Sequence, residues 1–150
     1  MKINLVGECF EMTDNTRIAE LPQVPEAKGF DEVVCAALDH PLDLQPLAQW
    51  DLRGKRVAIM VDDWGRPTPC GDFLPSVLDR LNAAGAADDH ITIVTASGMH
   101  DPMDDDRMIA KVGLEAFRRV RCISHDGGNE SMLAFCGVTP MGTPVWVNRY

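Results

Sequence analysis

The sequence Arg56-Val57-Ala58-Ile59-Met60-Val61 is a short, continuous apolar run, and the interpretation of the whole chain starts from it. Such a run is typical of a strand that is buried on both faces. Similar runs follow at residues 91–95 and 120–123. Between these runs, apolar residues at helical spacing predict a helix at 72–84. Three acidic residues that suit the N-terminal dipole, followed by Gly113 as the terminator, predict a shorter helix at 104–112. The order strand, helix, strand, helix, strand predicts a parallel sheet with right-handed crossovers.

The first 55 residues are less regular than the rest of the chain. Residues 2–6 predict a strand, and residues 10–13 are expected to pair with it as a hairpin. Asp31 is expected to cap a short helix at 32–38, which ends before His40-Pro41. The predicted fold class is therefore α/β: a three-layer-type domain with a mainly parallel sheet and a less regular, β-containing N-terminal segment.

The end of the sequence carries a further prediction about the fold. Residues 129–136 are expected to form a short helix that ends at Gly137, and residues 144–147 a final strand. No predicted helix follows this strand to cover the edge of the sheet. Because a sheet left in this way normally continues, we expect residues 1–150 to be one α/β domain of a longer chain.

Composition and charge limit the classes of partner. Asp and Glu outnumber Lys and Arg by 23 to 14, for a formal net charge of −9. Because nucleic acids are bound through clustered basic residues, we expect no nucleic-acid partner. No apolar run approaches the roughly 20 residues that a membrane helix needs, and Glu8 interrupts the N-terminus too early for a secretory signal. We therefore expect no membrane partner and a cytoplasmic location.

Titratable residues follow each of the three predicted central strands. They lie in residues 62–69, 96–102 and 124–128. The carboxyl ends of parallel strands meet at one edge of a sheet, and ligands bind there. Arg66, in a loop that also contains two prolines, has the planar guanidinium that suits a carboxylate or a phosphate. His100 is a candidate general base, because an imidazole suits proton transfer near neutral pH.

Asp62, Thr68 and His125 are weaker candidates at the same edge. A purely structural interpretation is also open, in which Asp62 or Asp63 caps the turn and pairs with Arg66. Carboxylate and imidazole groups also bind divalent metals, but the spacing of these residues is not diagnostic, so we predict no metal ligand within the chain. The sequence contains neither G-x-G-x-x-G after a strand nor G-x-x-x-x-G-K-[ST], the common nucleotide-binding motifs.

Four segments together resemble one known family. They are Val61-Asp62-Asp63-Trp64-Gly65-Arg66-Pro67-Thr68-Pro69, Ala96-Ser97-Gly98-Met99-His100-Asp101-Pro102-Met103, His125-Asp126 and Gly137-Val138-Thr139-Pro140-Met141-Gly142-Thr143-Pro144-Val145-Trp146-Val147-Asn148-Arg149. In order and spacing they resemble the amino-terminal domain of nickel-dependent lactate racemase and its relatives, over nearly the whole chain.

This resemblance implies a cofactor and roles for three residues. In that family a nickel-pincer nucleotide takes a hydride from the α-carbon of a 2-hydroxy acid, and the hydride returns to the other face. Two histidines serve in turn as base and acid for the hydroxyl proton, and the resemblance implies that His100 is one of them. Asp63 and Arg66 match the family's Asp-x-Thr-Arg motif, whose members line the site and help to hold anionic groups of cofactor or substrate.

The sequence also departs from the family pattern. Gly65 stands where the family usually has Thr, so one hydroxyl contact is missing and the backbone is freer. The family's second catalytic histidine, its cofactor-attaching lysine and its nickel-binding histidine are expected beyond Tyr150. We therefore expect this chain alone to be inactive and the C-terminal part of the same protein to complete the site.

The sequence thus predicts an isomerase, a racemase or epimerase of 2-hydroxy acids, represented by its amino-terminal domain. Two other interpretations stay open. In the second interpretation, the chain is a non-catalytic α/β module that binds an anion or a partner subunit. The third interpretation is the half-site of a lyase or hydrolase that uses a divalent metal between Asp63 and His100.

Overall fold

The computed structural model describes residues 2–5, 8–15, 17 and 29–150. In chain order its strands and helices are β1 (Lys2–Leu5), β2 (Glu8–Glu11), α1 (Phe30–Asp39), β3 (Val57–Val61), α2 (Cys70–Ala83), β4 (Ile91–Thr95), α3 (Asp105–Val112), α4 (Leu114–Arg119), β5 (Arg121–Ser124), β6 (Leu133–Val138) and β7 (Pro144–Asn148). Single turns of 3-10 helix lie at Leu47–Gln49, Asp88–His90 and Glu130–Met132. Within these ranges, no helix has the length and apolar character needed to cross a membrane.

A parallel sheet with the strand order β3-β4-β5 forms the centre of the fold. Val57 pairs with Ile91, and Thr92 pairs with Arg121, so the three strands run in the same direction. Helix α2 connects β3 to β4, and helices α3 and α4 connect β4 to β5. The α/β prediction with a mainly parallel sheet is confirmed, and the carboxyl ends of the three strands meet at one edge.

The hydrophobic core lies between one face of this sheet and the helices. Ile91 and Ile93 alternate along β4, so they share a face, and both are fully buried. Leu74 and Leu78 of α2, one helical turn apart, and Val112 of α3 belong to the same core cluster. Each of these side chains contributes about 1.5–3 kcal/mol of stabilisation through burial.

Helix α4 is an addition to the predicted elements. It begins directly after Gly113, which ends α3 as predicted and has a φ of +83° that favours glycine. A Cβ atom on Gly71 of α2 would lie 3.1 Å from the Cα atom of Gly113. The two glycines therefore allow the backbone of α2 to pack directly against the α3–α4 junction.

The N-terminal hairpin is confirmed, with β1 antiparallel to β2 and Lys2 opposite Glu11. Val6, the last residue of the predicted strand, lies outside the described residues. Helix α1 begins at Phe30 with Gly29 as its N-cap, so the predicted cap by Asp31 is wrong. Asp31 instead lies in the first turn, where a negative charge is favourable beside the helix dipole.

The predicted helix at residues 129–136 is also wrong. A 3-10 turn at Glu130–Met132 occupies the first half of this segment, and strand β6 occupies the second half and pairs antiparallel with β7, the predicted final strand. A hydrogen bond of 2.9 Å from Gly142 N to the Thr139 carbonyl oxygen closes the turn between them, and Gly142 has a φ of +85°. Periodicity alone cannot assign a short apolar run to helix or strand, and the pairing with β7 decides it here.

The β6–β7 hairpin lies beside the face of the parallel sheet that is opposite the helices. A cleft of about 340 Å³ between them is lined by Met60 and Val94 of the sheet and by Trp146 of the hairpin. Val94 is 6% exposed and Met60 is 79% exposed. On this face of the sheet, the side chain from β4 is therefore buried and the side chain from β3 is open to solvent.

Candidate functional site

A cleft of about 500 Å³ opens at the carboxyl ends of β3 and β4. The loops that follow the two strands form its walls. Of the candidates named from the sequence, those that line the cleft are Asp62, Asp63, Arg66 and His100. Thr68 and His125 are not among the lining residues. The carboxyl ends of the parallel strands thus bring together side chains that are far apart in the sequence. Asp63 and His100, for example, are 37 positions apart.

Asp63 and His100 are in direct contact across this cleft. The Asp63 side chain is 7% exposed, and its Oδ2 atom is hydrogen-bonded to His100 Nδ1. This bond holds the pKa of Asp63 below its usual value, so the carboxylate is ionised and only accepts. Nδ1 therefore carries the proton, and Nε2, which has no partner among the described residues, is left as a proton acceptor.

A tight turn presents His100. The backbone N–H of His100 donates to the Ser97 carbonyl oxygen at 3.0 Å. Gly98, within the turn, has a φ of +59°, which explains the need for glycine there. The imidazole is 65% exposed, so an incoming ligand has access to it.

Hydroxyl groups anchor both ends of the His100 loop. Thr95 and Ser97 are buried, and their hydroxyl oxygens lie 3.2 Å apart. At the other end, the Met103 backbone N–H donates to Ser124 Oγ at 2.7 Å. These hydroxyl residues were not predicted from the sequence, although Thr95 and Ser124 are the polar residues at the carboxyl ends of β4 and β5.

Arg66 is presented by the loop after β3. Its backbone N–H donates to the Asp63 carbonyl oxygen at 3.2 Å, and Gly65 N–H donates to Asp63 Oδ1 at 3.2 Å. The Arg66 side chain is exposed, and its guanidinium makes no hydrogen bond or ion pair with any residue that the structure describes. The structural interpretation therefore holds in part: the Asp63 side chain caps the turn, but Arg66 does not form the ion pair.

Lys111 of α3 takes the place of Arg66 as the partner of Asp62. Lys111 Nζ lies 2.5 Å from Asp62 Oδ1, and Thr68 Oγ1 donates to Asp62 Oδ2 at 2.5 Å. The bond from Lys111 is the main cause that lowers the pKa of Asp62. Lys111 was not predicted from the sequence, but its position beside Met108 and Val112 on the apolar stripe of α3 was an available signal.

His125 lies in the neighbouring cleft, between the sheet and the hairpin. Its Nδ1 atom is 3.1 Å from Asn148 Nδ2, an amide donor, so the ring accepts there. Met60, Ala96 and Gly98 line both clefts, so the two clefts adjoin, and His125 lines only the second of them. Within the described ranges, no cluster of three His, Cys, Asp or Glu side chains could hold a metal ion. Asp63 and His100 are in contact but are only two such side chains.

Two curated proteins are similar in sequence to this chain. One is the lactate racemase of Thermoanaerobacterium thermosaccharolyticum, 25% identical over 119 residues. The other is the lactate racemase of Lactiplantibacillus plantarum, 29% identical over 119 residues. Each match covers 79% of this chain and 28% of the relative, so the chain spans less than a third of either relative.

Solved structures and a family comparison extend this result. The lactate racemase apoprotein from Thermoanaerobacterium thermosaccharolyticum is similar with a TM-score of 0.67 and 26% identity, over 79% of this chain and 28% of that one. A Thermotoga maritima protein shares the fold, with a TM-score of 0.60 and 22% identity over 79% of this chain and 30% of that one. Residues 9–150 match the family described as lactate racemase N-terminal domain. Since the match covers nearly the whole chain, this chain belongs to the lactate racemase N-terminal domain family.

Proposed function

We propose that the complete protein interconverts the enantiomers of a 2-hydroxy acid, and that residues 1–150 form the domain that supplies one half of its active site. The observation that carries the proposal is the meeting of His100, Asp63 and Arg66 at one cleft. A base held by a buried carboxylate, beside an exposed guanidinium, matches a substrate that has a hydroxyl group and a carboxylate on adjacent carbons.

His100 is the acid and base of this half-site. Asp63 accepts from Nδ1 and fixes the tautomer in which Nε2 has a free lone pair. Nε2 removes the hydroxyl proton of the substrate as the α-carbon is oxidised, and it returns a proton when the hydroxy acid forms again. The ionised Asp63 stabilises the imidazolium that exists between the two steps.

Arg66 holds an anionic group. A guanidinium that makes no hydrogen bond or ion pair in the described part of the chain is free to bind a carboxylate through two parallel hydrogen bonds. The nickel-pincer nucleotide implied by the resemblance also has an anionic group, its phosphate, and Arg66 fits either one. When bound, this cofactor would supply the acceptor for the α-hydrogen, a role that the described side chains do not offer.

The remaining part of the protein is the proposed partner of this domain. His100 serves the hydroxyl group of one enantiomer, whereas the other enantiomer presents its hydroxyl group to the opposite side of the site and needs a second acid and base. We therefore propose that a second histidine, the nickel ligand and the cofactor-attaching lysine lie outside this chain, and that this chain alone is inactive. The cytoplasmic location expected from the sequence stays a prediction.

Replacement of His100 by Ala in the complete, cofactor-loaded protein tests the proposal. We expect kcat for racemisation of lactate, as the probe substrate, to fall about 10²- to 10⁴-fold. The fold should persist, because the imidazole is largely exposed. His40→Ala, at an exposed position outside the cleft, is the matched control and should be fully active. Racemisation by His100→Ala at the rate of the unmodified protein would remove His100 from the mechanism. Binding of a 2-hydroxy acid by the unmodified protein without turnover would favour a non-catalytic module.

A further inference from the structure

Lys111 is a charged residue in an apolar position. Its side chain is 5% exposed, and its neighbours on the same face of α3 are the buried Met108 and Val112. A lysine is rarely buried without partners, because removal of the ammonium from water is costly. The contacts that compensate this cost therefore indicate what the residue does.

All three identified partners of Lys111 belong to the loop after β3. The ammonium contacts Asp62 Oδ1 at 2.5 Å, the Arg66 carbonyl oxygen at 3.0 Å and the Thr68 carbonyl oxygen at 3.2 Å. An ammonium has three N–H donors, so each has an acceptor. Thr68 also donates its hydroxyl to Asp62 Oδ2, which ties the beginning of the loop to its end.

The same loop carries three of the residues that line the cleft: Asp62, Asp63 and Arg66. Lys111 contacts the first and the third of them, whereas Lys111 itself does not line the cleft. Lys111 therefore has no direct access to a ligand there and can act only through the loop. The Arg66 guanidinium makes no hydrogen bond or ion pair among the described residues, so its position depends mainly on the backbone that Lys111 holds.

From these contacts we propose that Lys111 is a positioning residue, which fixes the 62–69 loop so that Arg66 and Asp63 meet the ligand in the correct geometry. This inference rests on the proposed function, because the ligand in question is the 2-hydroxy acid or the anionic group of its cofactor. A displacement of about 1 Å in a group that orients a substrate lowers the rate by about 10²-fold.

Lys111→Met in the complete protein tests the proposal, with Arg119→Met as the matched control. Arg119 of α4 is also a partly buried cation, 21% exposed, but it bonds Asp79 and Asp88 rather than the loop. We expect Lys111→Met to lower kcat/KM for lactate about 10- to 100-fold. Hydrogen–deuterium exchange of the backbone amides in the 62–69 loop should accelerate in Lys111→Met. Both cation removals should lower stability, but Arg119→Met should leave kcat/KM and loop exchange unchanged.

The exchange measurement separates this inference from the proposed function, because it needs no substrate and no cofactor. If the complete protein racemises no 2-hydroxy acid, the proposed function fails, while loop exchange still decides whether Lys111 orders the loop. Loop amides of Lys111→Met that exchange at the rate of the unmodified protein would overturn the inference. If Lys111→Met does not fold, Lys111→Gln replaces it, because glutamine keeps N–H donors for the two carbonyl oxygens. We then expect an intermediate acceleration of loop exchange. An unchanged exchange rate in Lys111→Gln would contradict the inference.

Discussion

Asp62 and Asp63 are neighbours in the chain, yet the fold gives their carboxylates different partners. Asp62 pairs with Lys111 on the helix side of the loop, and Asp63 holds His100 at the cleft. Successive residues at the end of a strand point in opposite directions, which explains the separation. One carboxylate thus orders the loop while the other orients the candidate base.

Gly65 lies next to the carboxylate of Asp63. A Cβ atom at position 65 would lie 3.3 Å from Asp63 Oδ1, the oxygen that accepts from the Gly65 backbone. Any larger residue there, such as the Thr usual in the family, would contact the carboxylate that holds His100. The departure at Gly65 therefore changes the surroundings of Asp63 and not only the flexibility of the loop.

The Asp62–Lys111 pair predicts a pH dependence of stability. The pKa of Asp62 is lowered in the folded protein, whereas an unfolded Asp has a pKa of about 3.9. Between the two values the unfolded state binds more protons, so stability falls as the pH drops from about 4 through the folded pKa. We expect Asp62→Asn to be less stable than the unmodified chain at neutral pH, with a difference that shrinks in this acid range.

Urea unfolding across the acid range measures this effect. Asp101→Asn is the control, because Asp101 is exposed and makes no hydrogen bond or ion pair within the described residues. The control profile should run parallel to that of the unmodified chain. An Asp62→Asn profile that is also parallel throughout would mean that the ion pair does not contribute to stability.

At the scale of elements, local signals predicted the central strands and the helix α3. Strand β4 lies at the predicted residues 91–95, and the side chain of Asp104 caps α3 by accepting from Arg107 N at 2.9 Å. These signals are local, because an apolar run and a cap depend on adjacent residues. Strand β6 depends on its pairing with β7 across a turn, and this partner is invisible to a periodicity argument.

Thiol accessibility tests the hairpin directly. Cys136 in β6 is exposed, whereas a helix packed on the core would bury it. Burial raises the pKa of the Cys122 thiol to about 11, and Cys70 is 2% exposed. Because the thiolate is the reactive form, we expect an alkylating reagent at neutral pH to label Cys136 much faster than Cys122 or Cys70.

Peptide mapping by mass spectrometry reads this labelling for each cysteine. Labelling in urea is the control, since all three thiols should then react at similar rates. Protection of Cys136 in the native chain to the same degree as Cys122 would contradict the hairpin and favour a packed helix.

At the scale of the whole molecule, the parts of the site that depend on strand order could be predicted from the sequence. Parallel strands bring residues 62–69 and 96–102 to one edge, so the neighbourhood of Arg66 and His100 followed from the strand order. The contact of Lys111 with the loop could not be predicted in this way. Lys111 lies 45 positions from Arg66, on a helix whose sequence pattern shows only which face is apolar. Contacts between a helix and a distant loop depend on packing, which the sequence pattern does not specify.

The open face of the sheet leads to a prediction for the isolated 150-residue chain. Parallel sheets are almost always covered on both faces, yet Met60 is 79% exposed and the neighbouring Trp146 is 55% exposed. Contiguous exposed apolar surface drives association. We therefore expect this chain, produced alone, to self-associate as its concentration rises, and Met60→Lys to weaken the association by placing a charge on that face.

Sedimentation velocity over a range of concentrations measures the association, and Met141→Lys provides the matched control. Met141 is 90% exposed but lies in the turn between β6 and β7, away from the sheet face. If the open face causes the association, only Met60→Lys should shift the chain toward monomer. Equal effects of the two substitutions would point to general charge repulsion, and a monomer at every concentration would mean that the exposed face of β3 is stable in water without a partner.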